Sequence, residues 1–120
     1  MQTHHSINYV EMAACDLEAN KRFFEQAFGW SFEDFGPDYT AFKSSGLEGG
    51  FFRADFTSRP QNGAALVVLY SDNLEASLDT VRLYGGSIEQ EIFEFPGGRR
   101  FHFLDPCGNE WAVWSKLATE

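Results

Sequence analysis

Asp16-Leu17-Glu18-Ala19 and Asn73-Leu74-Glu75-Ala76 stand 57 residues apart, and at the same offset Gly29 falls on Gly86. In each copy a short polar side chain suited to cap a helix precedes a helical turn, and a glycine follows where a helix must stop. Agreement of cap, first turn and terminator at one period predicts a supersecondary unit used twice. Half of a 120-residue chain is too little to bury both faces of a sheet, so the copies must pair within a single domain, residues 1–120.

The first copy, residues 7–54, reads as a strand, a helix and three strands. Ile7 to Met12 is apolar and β-branched enough for a strand, and Leu17, Phe24, Ala27 and Phe28 then recur on one face of a helix opened by Asp16. Strands at Trp30–Phe35 and Tyr39–Ser44 flank the turn Gly36-Pro37-Asp38, and a weaker one covers Gly49–Ala54. Arg59-Pro60-Gln61-Asn62-Gly63 is a polar connector. The second copy, residues 64–116, repeats the order with a strand at Ala64–Tyr70 and a helix at Asn73–Tyr84 closed by Gly85-Gly86. Strands at Ile88–Phe95, Arg100–Leu104 and Trp111–Lys116 complete it. The expected fold is α+β: two tandem βαβββ modules with mixed sheets, helices on the outer faces, and inner faces left for a cup or a dimer contact.

Composition narrows the partners. A formal net charge of −9 argues against nucleic acid, because phosphate binding needs clustered Lys and Arg and Arg99-Arg100 is too small a patch. No apolar run approaches the roughly 18 residues of a membrane helix, and MQTHHSINY has no basic segment leading into an apolar one, so no membrane partner and a cytoplasmic location are expected. Cys15 and Cys107 form no metal-type pair and are expected as free thiols.

Three stretches carry a family likeness. They are Asn8-Tyr9-Val10-Glu11 leading through Asp16-Leu17-Glu18-Ala19 to Phe23-Phe24-Glu25-Gln26-Ala27-Phe28-Gly29-Trp30, then Asp72-Asn73-Leu74-Glu75-Ala76 leading to Gly85-Gly86, and Phe103-Leu104-Asp105-Pro106-Cys107-Gly108-Asn109-Glu110. Together they resemble the vicinal-oxygen-chelate superfamily of glyoxalase I, extradiol dioxygenases and bleomycin resistance proteins. The resemblance implies a cup holding a divalent metal on His or Glu from the first and last strand of each module. Here those positions fall on Tyr9, on its repeat partner Leu66 and on Ala112, while the remaining one stays open with Glu48 and Asp55 as the nearest carboxylates. A phenol, an isobutyl and a methyl group cannot replace three or four converging N or O ligands, so neither a metal site nor a cofactor is expected. The likeness also implies a homodimer, since short members of this fold commonly close their cups that way.

Alternation along the strands puts Tyr9 and Glu11 on the cup face, joined by Leu66, Val68 and Tyr70 and by Glu110, Ala112 and Trp114. This lining suits a small hydrophobic or aromatic molecule held by stacking, with few polar points to orient it. Most of Trp30, Phe32, Phe42, Phe51 and Phe52 are expected as core, and Arg53, Arg99 and Arg100 as rim charges. His4 and His5 precede the first strand and are expected to fray. The expected function is metal-independent binding of such a molecule. Two alternatives stand beside it: a lyase or isomerase using Glu11, Tyr9 or His102 as acid and base, and a dimeric interaction module without ligand.

Overall fold

Asp16 and Asn73 open the two helices in the same way. The computed structural model, which describes residues 2–117, gives them backbone angles of φ −143°, ψ 96° and φ −145°, ψ 94°. Each side chain accepts a hydrogen bond from the amide three residues on, Ala19 or Ala76, at 3.1 Å. One of the helix's unpaired N–H groups is thereby satisfied.

The elements follow the expected order. The first module has β1 (Tyr9–Ala14), α1 (Leu17–Phe28), β2 (Ser31–Asp34), β3 (Tyr39–Lys43) and β4 (Glu48–Arg53). The second has β5 (Val67–Tyr70), α2 (Leu74–Leu83), β6 (Ser87–Phe95), β7 (Gly98–Leu104) and β8 (Glu110–Ser115). Ile7 and Asn8 stay outside β1, and Ala64 to Leu66 outside β5, because pairing with β4 and β8 begins only at Tyr9 and Val67.

The helix ends differ between modules. Gly29, left-handed at φ 73°, stops α1 and donates to Glu25 O. In α2 the left-handed residue is Gly85 at φ 110°, one position earlier than the repeat offset implies. Gly86 instead provides clearance: a Cβ there would stand 2.6 Å from Val81 Cγ1 and 3.1 Å from the Phe23 ring. Its amide donates to Val81 O at 2.9 Å, which makes this end a Schellman motif.

The sheets have strand orders β1-β4-β3-β2 and β5-β8-β7-β6. β1 runs parallel to β4 and β5 to β8, and the other neighbours are antiparallel. Met12, Phe42 and Phe51 from the first sheet and Phe101, Phe103, Trp111 and Val113 from the second join both helices in one core cluster. Phe24 of α1 ties them together, its ring centroid lying 5.7 Å from Phe51 and 4.9 Å from Trp111. The helix-bearing faces therefore share a core, and the opposite faces, which carry Tyr9 and Glu11 on one sheet and Val68 and Tyr70 on the other, face away from it.

Candidate functional site

Gly49 and Gly50 interrupt β4 where two aromatic rings cross it. A Cβ on Gly49 would meet the Phe42 ring on the core side, and one on Gly50 would meet the Tyr39 ring on the cup side. Backbone register puts Gly50 between Glu11 of β1 and Ala41 of β3, so the bare glycine lets Tyr39 reach across the strand. Its hydroxyl donates to Glu11 Oε2 at 3.0 Å and lies 2.6 Å from the Tyr9 hydroxyl. Burial, reinforced by these two bonds, pushes the Tyr39 phenol well above its ordinary pKa, so it stays a neutral donor. Tyr9 and Glu11 thus share a face, as alternation predicts. The sequence reading missed Tyr39, for which the only local signal is the glycine pair inside a strand.

On the second sheet, Val68 and Tyr70 are exposed, and Tyr70 stands edge-on to Trp114 at 5.1 Å between ring centroids. Val68, Phe95, Arg100 and Trp114, with Pro96 and Gly97 at the rim, line a cleft of about 390 Å³. Ala112 is fully buried opposite Val68, and Leu66 lies before β5, outside this cleft. The Arg100 guanidinium lies 5.4 Å from the ring centroids of both Phe93 and Phe95.

His102 does not meet Tyr9 or Glu11. It is 5 % exposed on β7, with its Nδ1 2.8 Å from Glu110 Oε2. Glu110 accepts from Arg59 Nε at 3.2 Å, and Arg59 also donates to Glu89 at 2.8 Å. The network holds Glu110, expected to line the cup, in a part-buried ion pair with a connector residue. The three acid–base candidates are therefore split, with two on the first sheet and one enclosed on the second.

The structure also resolves the open ligand position. Ala112 stands opposite Val68 as Gly50 stands opposite Glu11, so the counterpart of Ala112 is Gly50, while Glu48 pairs with Tyr9 and Asp55 follows the end of β4. Among the described residues no three His, Cys, Asp or Glu side chains converge as a metal would need. The family's metal does not fit this donor set within one chain.

A second cleft, of about 480 Å³, opens between the modules and is lined chiefly by Phe28, Trp30, Phe42, Val67, Leu69 and Trp111. It offers aromatic surface and no charged side chain.

The Asp-Pro-x-Gly turn is structural. Asp105 accepts five hydrogen bonds, from the Cys107 and Asn109 amides and from Asn20, Asn109 and Trp111 side chains, at 2.9–3.0 Å. Cys15 and Cys107 are free thiols, the first exposed and the second buried. Among the described residues no helix is long and apolar enough to cross a membrane.

A family model described as the Glyoxalase/Bleomycin resistance protein/Dioxygenase superfamily matches residues 6–113. Among curated proteins none matches the chain. Of solved structures, a glyoxalase-related enzyme from Fulvimarina pelagi superposes with a TM-score of 0.77 at 17 % identity, over 93 % of this chain and 88 % of that one. A glyoxalase/bleomycin resistance protein/dioxygenase family enzyme from Burkholderia phytofirmans PsJN gives 0.75 at 15 % identity, over 92 % and 98 %. A lactoylglutathione lyase from Agrobacterium tumefaciens gives 0.73 at 16 % identity, over 94 % and 95 %. At these identities the likeness speaks for the fold, and with the family model it places the chain in the glyoxalase/bleomycin resistance protein/dioxygenase superfamily.

Proposed function

We propose that this chain binds a small hydrophobic or aromatic molecule without a metal, as a homodimer. Each cup would combine the first sheet's cup face of one copy with the second sheet's cup face of another. The observation that carries this reading is the cleft walled by Val68, Phe95 and Trp114 on a face that stays exposed in the single chain. An apolar concavity with a few polar groups at its edge is the usual form of a small-molecule site. The outward position of the two cup faces supports the dimer, because each chain then offers two separate half-cups. The test is light scattering and a thermal-shift screen of aromatic compounds in EDTA. The reading requires a mass twice 13.6 kDa and a melting temperature that rises with ligand concentration. A monomer, or binding that disappears with the chelator, would sink it.

Acid–base catalysis is the second reading, favoured by one arrangement: a neutral Tyr39 hydroxyl clamped between Tyr9 and Glu11. Glu11 would take a proton, and Tyr39, as a neutral hydrogen-bond donor, would hold the carboxylate or a developing oxyanion in place. Glu11→Gln separates the two readings, since it abolishes turnover in the second and only alters affinity in the first.

A further inference from the structure

Arginines are scarce against acidic residues in this chain, and nearly every one that could meet a ligand is already engaged. Arg53 pairs with Asp38 at 3.1 Å, Arg99 with Glu75 at 2.7 Å, and Arg59 with Glu110 at 3.2 Å. Arg100 makes no ion pair among the described residues, although the chain carries 18 Asp and Glu against 9 Lys and Arg. It is half-buried, and its Nε is shielded from solvent with no hydrogen-bond partner. A guanidinium N–H held out of water with no acceptor costs free energy unless something outside the chain meets it. Two residues along β7, on the same face, His102 Nε2 is likewise buried without a partner.

The surroundings of Arg100 fit a ligand. Phe93 and Phe95 hold the guanidinium by cation–π contact, so its planar fork is ordered before anything binds. Trp114 and Val68 supply the apolar wall of the same cleft.

We propose that Arg100 is the anion-recognition point of the cup and that the ligand is an aromatic carboxylate. The ring packs against Trp114 and Phe95, and the carboxylate takes a paired hydrogen bond from the guanidinium. This assignment rests on the small-molecule reading above and specifies its ligand class.

The experiment compares acids with their neutral amides: naphthalene-2-carboxylate with its carboxamide, and indole-3-carboxylate with its carboxamide. Each is titrated calorimetrically into the full-length protein and its Arg100→Gln and Arg100→Lys variants. The wild type should prefer each acid by about tenfold or more. Arg100→Gln should erase that preference while leaving amide affinity within about threefold. Arg100→Lys, which keeps the charge and loses the fork, should fall between. Equal binding of acid and amide by the wild type overturns the anion site and leaves the binder reading standing. Failure of both acids to bind overturns the anion site, and the binder reading then stands or falls on the thermal-shift screen. A preference that survives in Arg100→Gln, or a variant that only weakens the dimer, also overturns the assignment, the latter by giving Arg100 to a carboxylate of a second copy.

Discussion

The ring of Tyr39 occupies the cup-side space over Gly50 that a side chain there would fill. The Tyr39–Glu11 bond depends on that vacancy. Gly50→Ala should therefore push Tyr39 off Glu11 and destabilise the fold by about 1–3 kcal/mol, the usual range for overpacking. Tyr39→Phe removes only the hydrogen bonds and should lose about 0.5–1.5 kcal/mol. Urea denaturation of both variants measures the difference, and an alanine variant as stable as wild type would mean that the ring does not rest on this glycine.

The same phenol has a pH signature. Its folded pKa lies above its unfolded value near 10, so the folded state keeps the proton that the unfolded chain releases. The stabilisation is full below about pH 10 and declines as pH rises beyond it. In a spectrophotometric tyrosine titration, wild type and Tyr39→Phe should give the same absorbance change up to about pH 11, because the deleted phenol is one that has not ionised. A smaller change in the variant would show that Tyr39 titrates like an exposed tyrosine.

The two cysteines should differ in reactivity. Burial pushes the Cys107 thiol up to about 12, and its sulfur accepts a hydrogen bond from the Asp16 amide at 3.1 Å. Cys15 is exposed. Since the thiolate is the reactive species, iodoacetamide at pH 8 should label Cys15 and spare Cys107 until the chain is unfolded. Peptide mass spectrometry reads the sites directly, and equal labelling in the folded protein would contradict the burial.

The paired helix starts were legible because they are local: a capping side chain and the amide it serves lie three residues apart. Asp16→Ala and Asn73→Ala should each lose about 0.5–2 kcal/mol, and by similar amounts, since the two caps have the same geometry. Calorimetric melting of the two variants checks both the magnitude and the equivalence.

What escaped the sequence was set by pairing across the chain. Alternation places Tyr9 with Glu11, but Tyr39 joins them only through the register of β1, β4 and β3. Likewise the pattern puts Val68, Tyr70 and Trp114 on a cup face without saying that this face and that of Tyr9 both face away from one shared core. That depends on how Phe24 and Trp111 pack between the modules. His102 stands apart from Tyr9 and Glu11 for a related reason: its Nδ1 meets Glu110, which a connector arginine holds from 51 residues away in sequence. The repeat offset failed at Gly86 because two glycines do two jobs there, one turning the chain and one making room for Phe23.

Asp105 shows what the family turn does. Burial raises its carboxyl above the usual carboxylate range, against the pull of five donors that all favour a negative charge. Two of those donors are on Asn109, whose amide nitrogen also reaches Ala13 O at 2.8 Å and whose oxygen accepts from Ser58 at 2.8 Å. A third is on Asn20 of α1, so one carboxylate joins β1, α1, the connector and the turn before β8. Asp105→Asn is nearly isosteric, yet its amide nitrogen would face N–H donors on whichever side it lies. Buried donors left unpaired cost about 1–3 kcal/mol each and are not additive, so the variant should lose about 2–4 kcal/mol at neutral pH. If denaturation instead finds the variant within about 0.5 kcal/mol of wild type, the carboxyl is already protonated in the folded protein and the five donors do not hold a charge.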